Sequence, residues 1–197
     1  MAIPKELLSL IKENDGIILT AQANSVGVSN ERLRLLVKAK DLEHISFGVY
    51  AVPDGFVDKM FINQIRRPKI IYSHETALFL HDLSDRDPIN YTVTVPTGYN
   101  VSRLRASGFN VFTIKRDLYE IGTIKVETMF GNAVVVYDLE RTICDCLRSR
   151  NQMDIAILSE AMKRYVRRKD KNIPKLMRMA ETFQVSKLLR SYLEVLL

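Results

Sequence analysis

The sequence predicts an α+β protein of two domains, on three observations. The first fifty residues carry helical spacing and a short ribbon. Residues 91–137 hold β-branched runs broken by Gly or Asn, and helical periodicity takes over from Asp138 onward. Strands in a run followed by helices in a run mark an α+β fold; strict alternation would mark a doubly wound parallel sheet. The composition supports a packed core, since 47% of the 197 residues are apolar and 26% are charged. Disordered, collagen-like and disulfide-scaffold chains are thereby excluded.

Pro4 suits the first turn of a helix, and Leu7, Leu8 and Ile11 recur at helical spacing until Asn14-Asp15-Gly16 stops it. Ile17, Ile18 and Leu19 lead into Thr20, which reads as the N-cap of a short helix over 21–25. Gly27 ends that helix with a left-handed residue. Ser29 caps the next one, and Glu31 complements the dipole of its first turn. Leu33, Leu36, Val37 and later Leu42 form the buried stripe; Asn30, Arg34 and Lys38, spaced by four, line an outward face. Residues 42–46 and 49–52 alternate as strands around Phe47-Gly48. Pro53-Asp54-Gly55 is the clearest boundary, giving domains over 1–53 and 58–197. Beyond it, 57–67 and 73–83 read as helices. The runs 91–96, 110–114, 121–129 and 133–137 read as strands of one small sheet. Helices are expected over 139–148, 153–168, 173–183 and 185–196, packed on that sheet.

Three helices and a ribbon in that order, with Asn24-Ser25-Val26-Gly27-Val28-Ser29 between the second and third helices, specify a winged helix-turn-helix. Gly27 sets the helix crossing and Val28 plugs the angle. Free N–H groups after the Ser29 cap suit a phosphate, and the third helix then suits the major groove. Asn30 matches adenine, and Arg32 or Arg34 matches guanine. Lys38 and Lys40 suit phosphates, Thr20 and Gln22 suit the DNA backbone, and Ser46-Phe47-Gly48 is the wing tip. Charge placement sharpens this reading. The chain is +6 overall, but residues 1–56 are net −1, 57–139 net +1 and 140–197 net +6. Within 30–40, four basic residues face one acid, and local charge at the groove outweighs the domain total.

The densest basic run holds Lys163, Arg164, Arg167, Arg168, Lys169 and Lys171 with one acid, Asp170, and Lys175 and Arg178 extend it. It reads either as a solvated helix end or as a second basic surface for flanking DNA, RNA or an acidic partner patch. Arg141 and Asp145, at i,i+4 beside Glu140 and Arg148, predict a helix-surface ion pair. His74 and His81 share a helix face as half-buried residues without metal-ligand spacing. Cys144 and Cys146 cannot face one way on a helix and read as core thiols, not zinc ligands. No glycine-rich phosphate loop, GxSxG or HExxH is present, so neither catalysis, a cofactor nor a metal is expected. No window approaches the ~20 apolar residues of a membrane span. The charged start MAIPKELLSLIKEND is not a signal peptide, so a cytoplasmic chain with no membrane partner is expected.

The run GIILTAQANSVGVSNERLRLLVKAKDLEHISFGVYAVPDG resembles the N-terminal module of AbiEi-type antitoxins. The blocks IIYSHETALFLHDLSDRDP, YTVTVPTGYN, VYDLERTICDCLR and SYLEVLL extend the resemblance over nearly the whole chain. The resemblance implies an antitoxin of a type IV toxin–antitoxin system, active in abortive phage infection. Its winged helix would bind inverted repeats in the double-stranded DNA of its own promoter and repress the operon. Its C-terminal domain would counteract an AbiEii-like nucleotidyltransferase toxin, with direct contact left open. The chain lacks the G-S-D-x-D pattern of that toxin. Without a coiled-coil seam, a monomer in solution placing two copies on the operator is expected. Two rivals stand beside this reading. One is an interaction module that sequesters the toxin, with DNA binding secondary. The other is an enzyme using Glu75, Asp82, Glu140 and Asp145, which would need one pocket joining all four.

Overall fold

The computed structural model of the chain describes residues 3–14, 16–53 and 58–196. Asp15, Asp54, Gly55, Val57 and Leu197, which the sequence reading used as a helix stop, a boundary, a helix start and a domain end, lie outside them. The fold is α+β, and its chain groups into two units. One comprises Met1–Arg66 with Glu127–Val134; the other comprises Arg67–Val126 with Val135–Leu197. The sequence pattern alone places the domain boundaries at 53 and 58.

In the first unit the order is α1 (Lys5–Glu13), β1 (Ile17–Leu19), α2 (Thr20–Ser25), α3 (Asn30–Lys38), β2 (Glu43–Ser46), β3 (Val49–Ala51) and α4 (Lys59–Arg66). Helix α1 starts after Pro4, whose missing N–H costs nothing there. Strand β1 pairs antiparallel with β3, Ile18 opposite Tyr50, and β3 pairs with β2, giving the order β1-β3-β2. Leu19 stays extended in β1, so Thr20, expected as the cap of α2, is its first residue. Gly27 takes φ 81°, and beside it Val28 is buried with Leu7, Ile18, Leu33, Leu36 and Leu42 in one core. The Ser29 hydroxyl accepts from the Arg32 N–H at 3.2 Å, the expected cap of α3. Asp58 caps α4 through the Phe61 N–H at 3.0 Å, and its other oxygen accepts from the Thr128 hydroxyl and the Asn132 amide.

The second unit holds β4 (Ile71–Tyr72), α5 (His74–Leu80), β5 (Thr92–Pro96), α6 (Ser102–Ala106), β6 (Asn110–Ile114), α7 (Arg116–Tyr119) and most of β7 (Thr123–Glu127) and β8 (Ala133–Tyr137). The helices α8 (Leu139–Arg148), α9 (Ile155–Arg167), α10 (Ile173–Thr182) and α11 (Ser186–Leu196) follow. Its strands form one mixed sheet, β6-β5-β4-β8-β7, in which β4 runs antiparallel to β5 and parallel to β8. Helix α8 is the centre of the core, packed by α5, α9, α10 and α11. Asp138 caps it by accepting from the Arg141 N–H at 2.8 Å. Every residue of α8 from Glu140 to Leu147 is buried, four charged or polar side chains included.

Those buried charges correct the surface ion pair expected from spacing. Arg141 is 0% exposed, its Nε 2.8 Å from Asp145. Its Nη1 donates to the carbonyls of Leu118 (2.9 Å) and Ile121 (2.8 Å). The guanidinium lies between the rings of Tyr137 and Phe183, 4.0 Å and 3.9 Å from their centroids. Glu140 accepts from the Tyr165 hydroxyl at 2.9 Å and pairs with Lys175 at 2.8 Å. Burial alone would lower the Lys175 pKa, but hydrogen bonds to Glu140 and Asp138 raise it overall. Buried ions persist only where such partners replace water.

Candidate nucleic-acid interface

The first unit gathers one groove of about 470 Å³ from three elements. Helix α3 contributes Asn30, Arg34 and Val37, whose i, i+4, i+7 spacing places them on one face. The β2–β3 hairpin contributes His44, Phe47, Gly48 and Tyr50, and α2 contributes Thr20. Leu33 and Leu36 anchor the opposite face of α3 in the core. The hairpin is held at its tip, where the Thr20 N–H donates to the Gly48 carbonyl at 2.9 Å. Gly48 takes φ 73°, a turn conformation that costs glycine little. Phe47 beside it is 91% exposed, an apolar ring with no packing of its own. His44 and Tyr50 face each other in register, ring centroids 5.1 Å apart. Lys38 and Lys40 stand exposed at the far end of α3. A guanidinium, a carboxamide, an imidazole and two aromatic rings thus share one open groove.

The structure therefore brings together Thr20, Asn30, Arg34 and Phe47 from the expected set; Ser29, Lys38, Lys40, Arg32 and Gln22 lie outside the lining, Ser29 as the cap of α3 and the two lysines as exposed residues. Arg32 follows Asn30 by two residues, about 200° around the helix, and it is half-buried and absent from the groove lining. The Gln22 side chain accepts from the Leu19 N–H at 3.2 Å, so it caps its own helix instead of facing outward. His44 and Tyr50 were missed as groove residues. Strand alternation placed them on a face, but only the register of the hairpin turns that face toward α3.

The basic run of the second unit is partly neutralised. Arg164 donates through Nη1 to Asp85 at 2.7 Å and through Nε to Glu160 at 3.0 Å, and its Nη2 meets the other Asp85 oxygen. That hydrogen bonding holds the Asp85 carboxyl below its ordinary pKa and raises Arg164. Arg168 grips Asp170 at 2.8 Å and donates to the His81 carbonyl at 2.9 Å, and Lys171 donates to the Arg168 carbonyl at 3.1 Å. Only Lys163, Arg167 and Lys169 of the six are exposed without such a bond, among the described residues. Two of the six cations are thus paired with acids, Arg164 in part by Asp85, 79 residues away in sequence, while Lys171 meets only a carbonyl and keeps its charge.

The histidines are more deeply buried than expected. The His74 nitrogens lie 3.0 Å from the Ser73 hydroxyl and 3.1 Å from the Ser149 hydroxyl, and its ring stacks on Phe112 at 3.7 Å. Burial lowers its pKa to about 4. Burial likewise lowers that of His81, whose Nε2 lies 2.6 Å from the Tyr137 carbonyl. Cys144 and Cys146 are buried core thiols, and burial pushes Cys144 up to about 12. Glu140 and Asp145, two of the four carboxylates weighed for catalysis, are held in buried ion pairs. Among the described residues no group of three or more His, Cys, Asp or Glu gathers to hold a metal, and no helix is long and apolar enough to cross a membrane.

No family model matches the chain, and no curated protein matches its sequence. Among solved structures it is similar to the crystal structure of the RV2827C protein from Mycobacterium tuberculosis. The TM-score is 0.60 and the identity 14%, over 97% of this chain and 78% of that one. The likeness is one of fold.

Proposed function

We propose that the chain is a DNA-binding autorepressor and antitoxin of the AbiEi type, and that its first unit is a winged helix. The observation that carries the DNA-binding part is the pairing of β1 with β3. A strand between the first two helices, clamped to the hairpin that follows the third, is the arrangement that sets a reading helix beside a wing. It also makes Asn30 and Arg34 share a groove with His44 and Phe47. Arg34 reaches a guanine edge and Asn30 an adenine edge, while the N–H groups beyond the Ser29 cap and the Lys38 ammonium hold phosphates. Phe47 and Gly48 at the wing tip lie on the sugar–phosphate edge or in the adjoining minor groove.

The antitoxin part rests on the sequence blocks of the second unit. IIYSHETALFLHDLSDRDP and VYDLERTICDCLR supply β4, α5, α8 and the end of β8, with β4 paired to β8 and α5 packed on α8. They are core-forming segments, so they support a shared architecture more directly than a shared contact surface. A gel shift with the DNA immediately upstream of the gene tests the repressor function. Specific retardation that competitor DNA does not remove is expected, and none would defeat it. Co-expression with an AbiEii-like nucleotidyltransferase toxin tests the antitoxin function: growth should be restored by the second unit's surface even when Arg34→Ala has abolished the shift, and arrest in the presence of the natural chain would defeat it.

A further inference from the structure

Two hollows of the second unit, about 670 Å³ and 280 Å³, share Gln184 as a common wall. Arg150, Lys187 and Arg190 line the larger, and Lys115 and Arg148 line the smaller. Glu194 is the one carboxylate among the side chains lining either. Here the cations are largely available. Arg148 has an acid partner, Asp145 at 3.3 Å, and Arg150 donates one bond to the Leu147 carbonyl at 3.4 Å.

Gln184 itself is the second observation. It takes φ 59° at the end of α10, where its N–H donates to Glu181 and the Val185 N–H donates to Ala180. That closing turn is one in which glycine carries no Cβ penalty. A glutamine in this conformation bears a backbone strain that glycine would not. Its carboxamide makes no hydrogen bond among the described residues.

The polarity of the walls selects the ligand. The Thr97 hydroxyl donates to the Ile114 carbonyl at 3.0 Å, and the Thr182 hydroxyl donates to the Arg178 carbonyl at 3.1 Å. Their protons are used, so toward the hollow they offer lone pairs. A phosphate backbone only accepts, and finds no use for them. The floor is apolar, formed by Phe183, Val185 and Leu188. A peptide carrying carboxylates, backbone N–H groups and aliphatic side chains satisfies all three features, whereas the phosphate backbone of a nucleic acid satisfies only the charge.

We propose that these joined hollows dock an acidic, aliphatic-rich segment of a partner protein. Its carboxylates meet the five cations, its backbone N–H groups meet the threonine oxygens, and the Gln184 carboxamide pairs with its main chain. This surface does not depend on the DNA-binding reading, and it is separate from the run 163–171.

The test is fluorescence anisotropy of the full chain with a labelled peptide of repeated Glu-Glu-Leu-Leu, against labelled oligothymidylate. The triple variant Arg150→Glu/Lys187→Glu/Arg190→Glu should weaken peptide binding by about tenfold or more. Lys163→Glu/Arg167→Glu/Lys169→Glu, with the same change of charge, should weaken it less than about twofold. Gln184→Gly should raise the thermal midpoint and still weaken binding by about threefold. Four results would overturn the proposal: no peptide binding by the natural chain, equal losses in the two triples, a stabilised Gln184→Gly that binds fully, or oligothymidylate binding tighter than the peptide and lost in the first triple.

Discussion

Replacing Arg141 by Met keeps most of the side chain's length and removes the charge at the centre of the second unit. The change deletes the 2.8 Å bond to Asp145 and the two bonds to the Leu118 and Ile121 carbonyls. Asp145, 3% exposed, is left with Arg148 at 3.3 Å, whose own side chain is 38% exposed. Breaking a buried pair by removing one partner costs ~3–5 kcal/mol. Each orphaned carbonyl adds ~1 kcal/mol or more, and Met recovers part of this through apolar contact with the Tyr137 and Phe183 rings. A net loss of about 4 kcal/mol follows, and for a unit of this size it lowers the thermal midpoint by roughly 10–20 °C. Circular dichroism through heating and urea titration measures it. The double variant Arg141→Met/Asp145→Leu should recover part of the loss, because no unpaired charge is left behind. A single-variant midpoint within about 3 °C of the natural chain would refute the central role given to Arg141.

Gly122→Ala should destabilise the same unit by about 2 kcal/mol or more, since Gly122 takes φ 77° and a Cβ there would lie 2.8 Å from the Arg141 Cβ; urea titration checks it. His74 titrates near 4 when folded and near ~6.5 when unfolded. The unfolded chain therefore binds more protons between those values, and the stability present above the unfolded pKa is lost as pH falls toward the folded one. From about pH 7.5 to about pH 5 the loss should be about 2 kcal/mol by urea titration, and His74→Gln should flatten it. Asp58→Ala removes the cap of α4 and the anchor of Thr128 and Asn132. It should cost the first unit about 2–4 kcal/mol in the same assay.

Local pattern in the sequence located the elements whose signals are themselves local. The strands Asn110–Ile114 and Ala133–Tyr137 and the helix Leu139–Arg148 begin and end where β-branched runs, Gly, Asn and the Asp138 cap place them. Strand β1 escaped notice because three residues carry no period, and its reason for being extended is β3, more than thirty residues on. The short α6 and α7 lacked an apolar stripe long enough to register. Spacing paired Arg141 with Asp145 correctly, but burial of the pair depends on Tyr137, Phe183 and two loop carbonyls that no local pattern announces. In the run 163–171, counting charges cannot show that Asp85 and Glu160 already occupy Arg164. In the groove, helical spacing put Asn30 and Arg34 on one outward face, whereas Arg32, read beside Arg34 as a guanine contact, lies outside the lining. His44 became visible only through the hairpin register.

The central claim, that α3 and the hairpin read DNA through one face, is tested most directly by anisotropy titration of the promoter repeat with Arg34→Ala and Arg32→Ala. A base-reading arginine is worth ~1–3 kcal/mol, so Arg34→Ala should weaken specific binding by roughly 5- to 150-fold. Arg32→Ala, off the groove, should fall well short of that. Arg34→Ala binding the repeat as tightly as the natural chain would contradict the account.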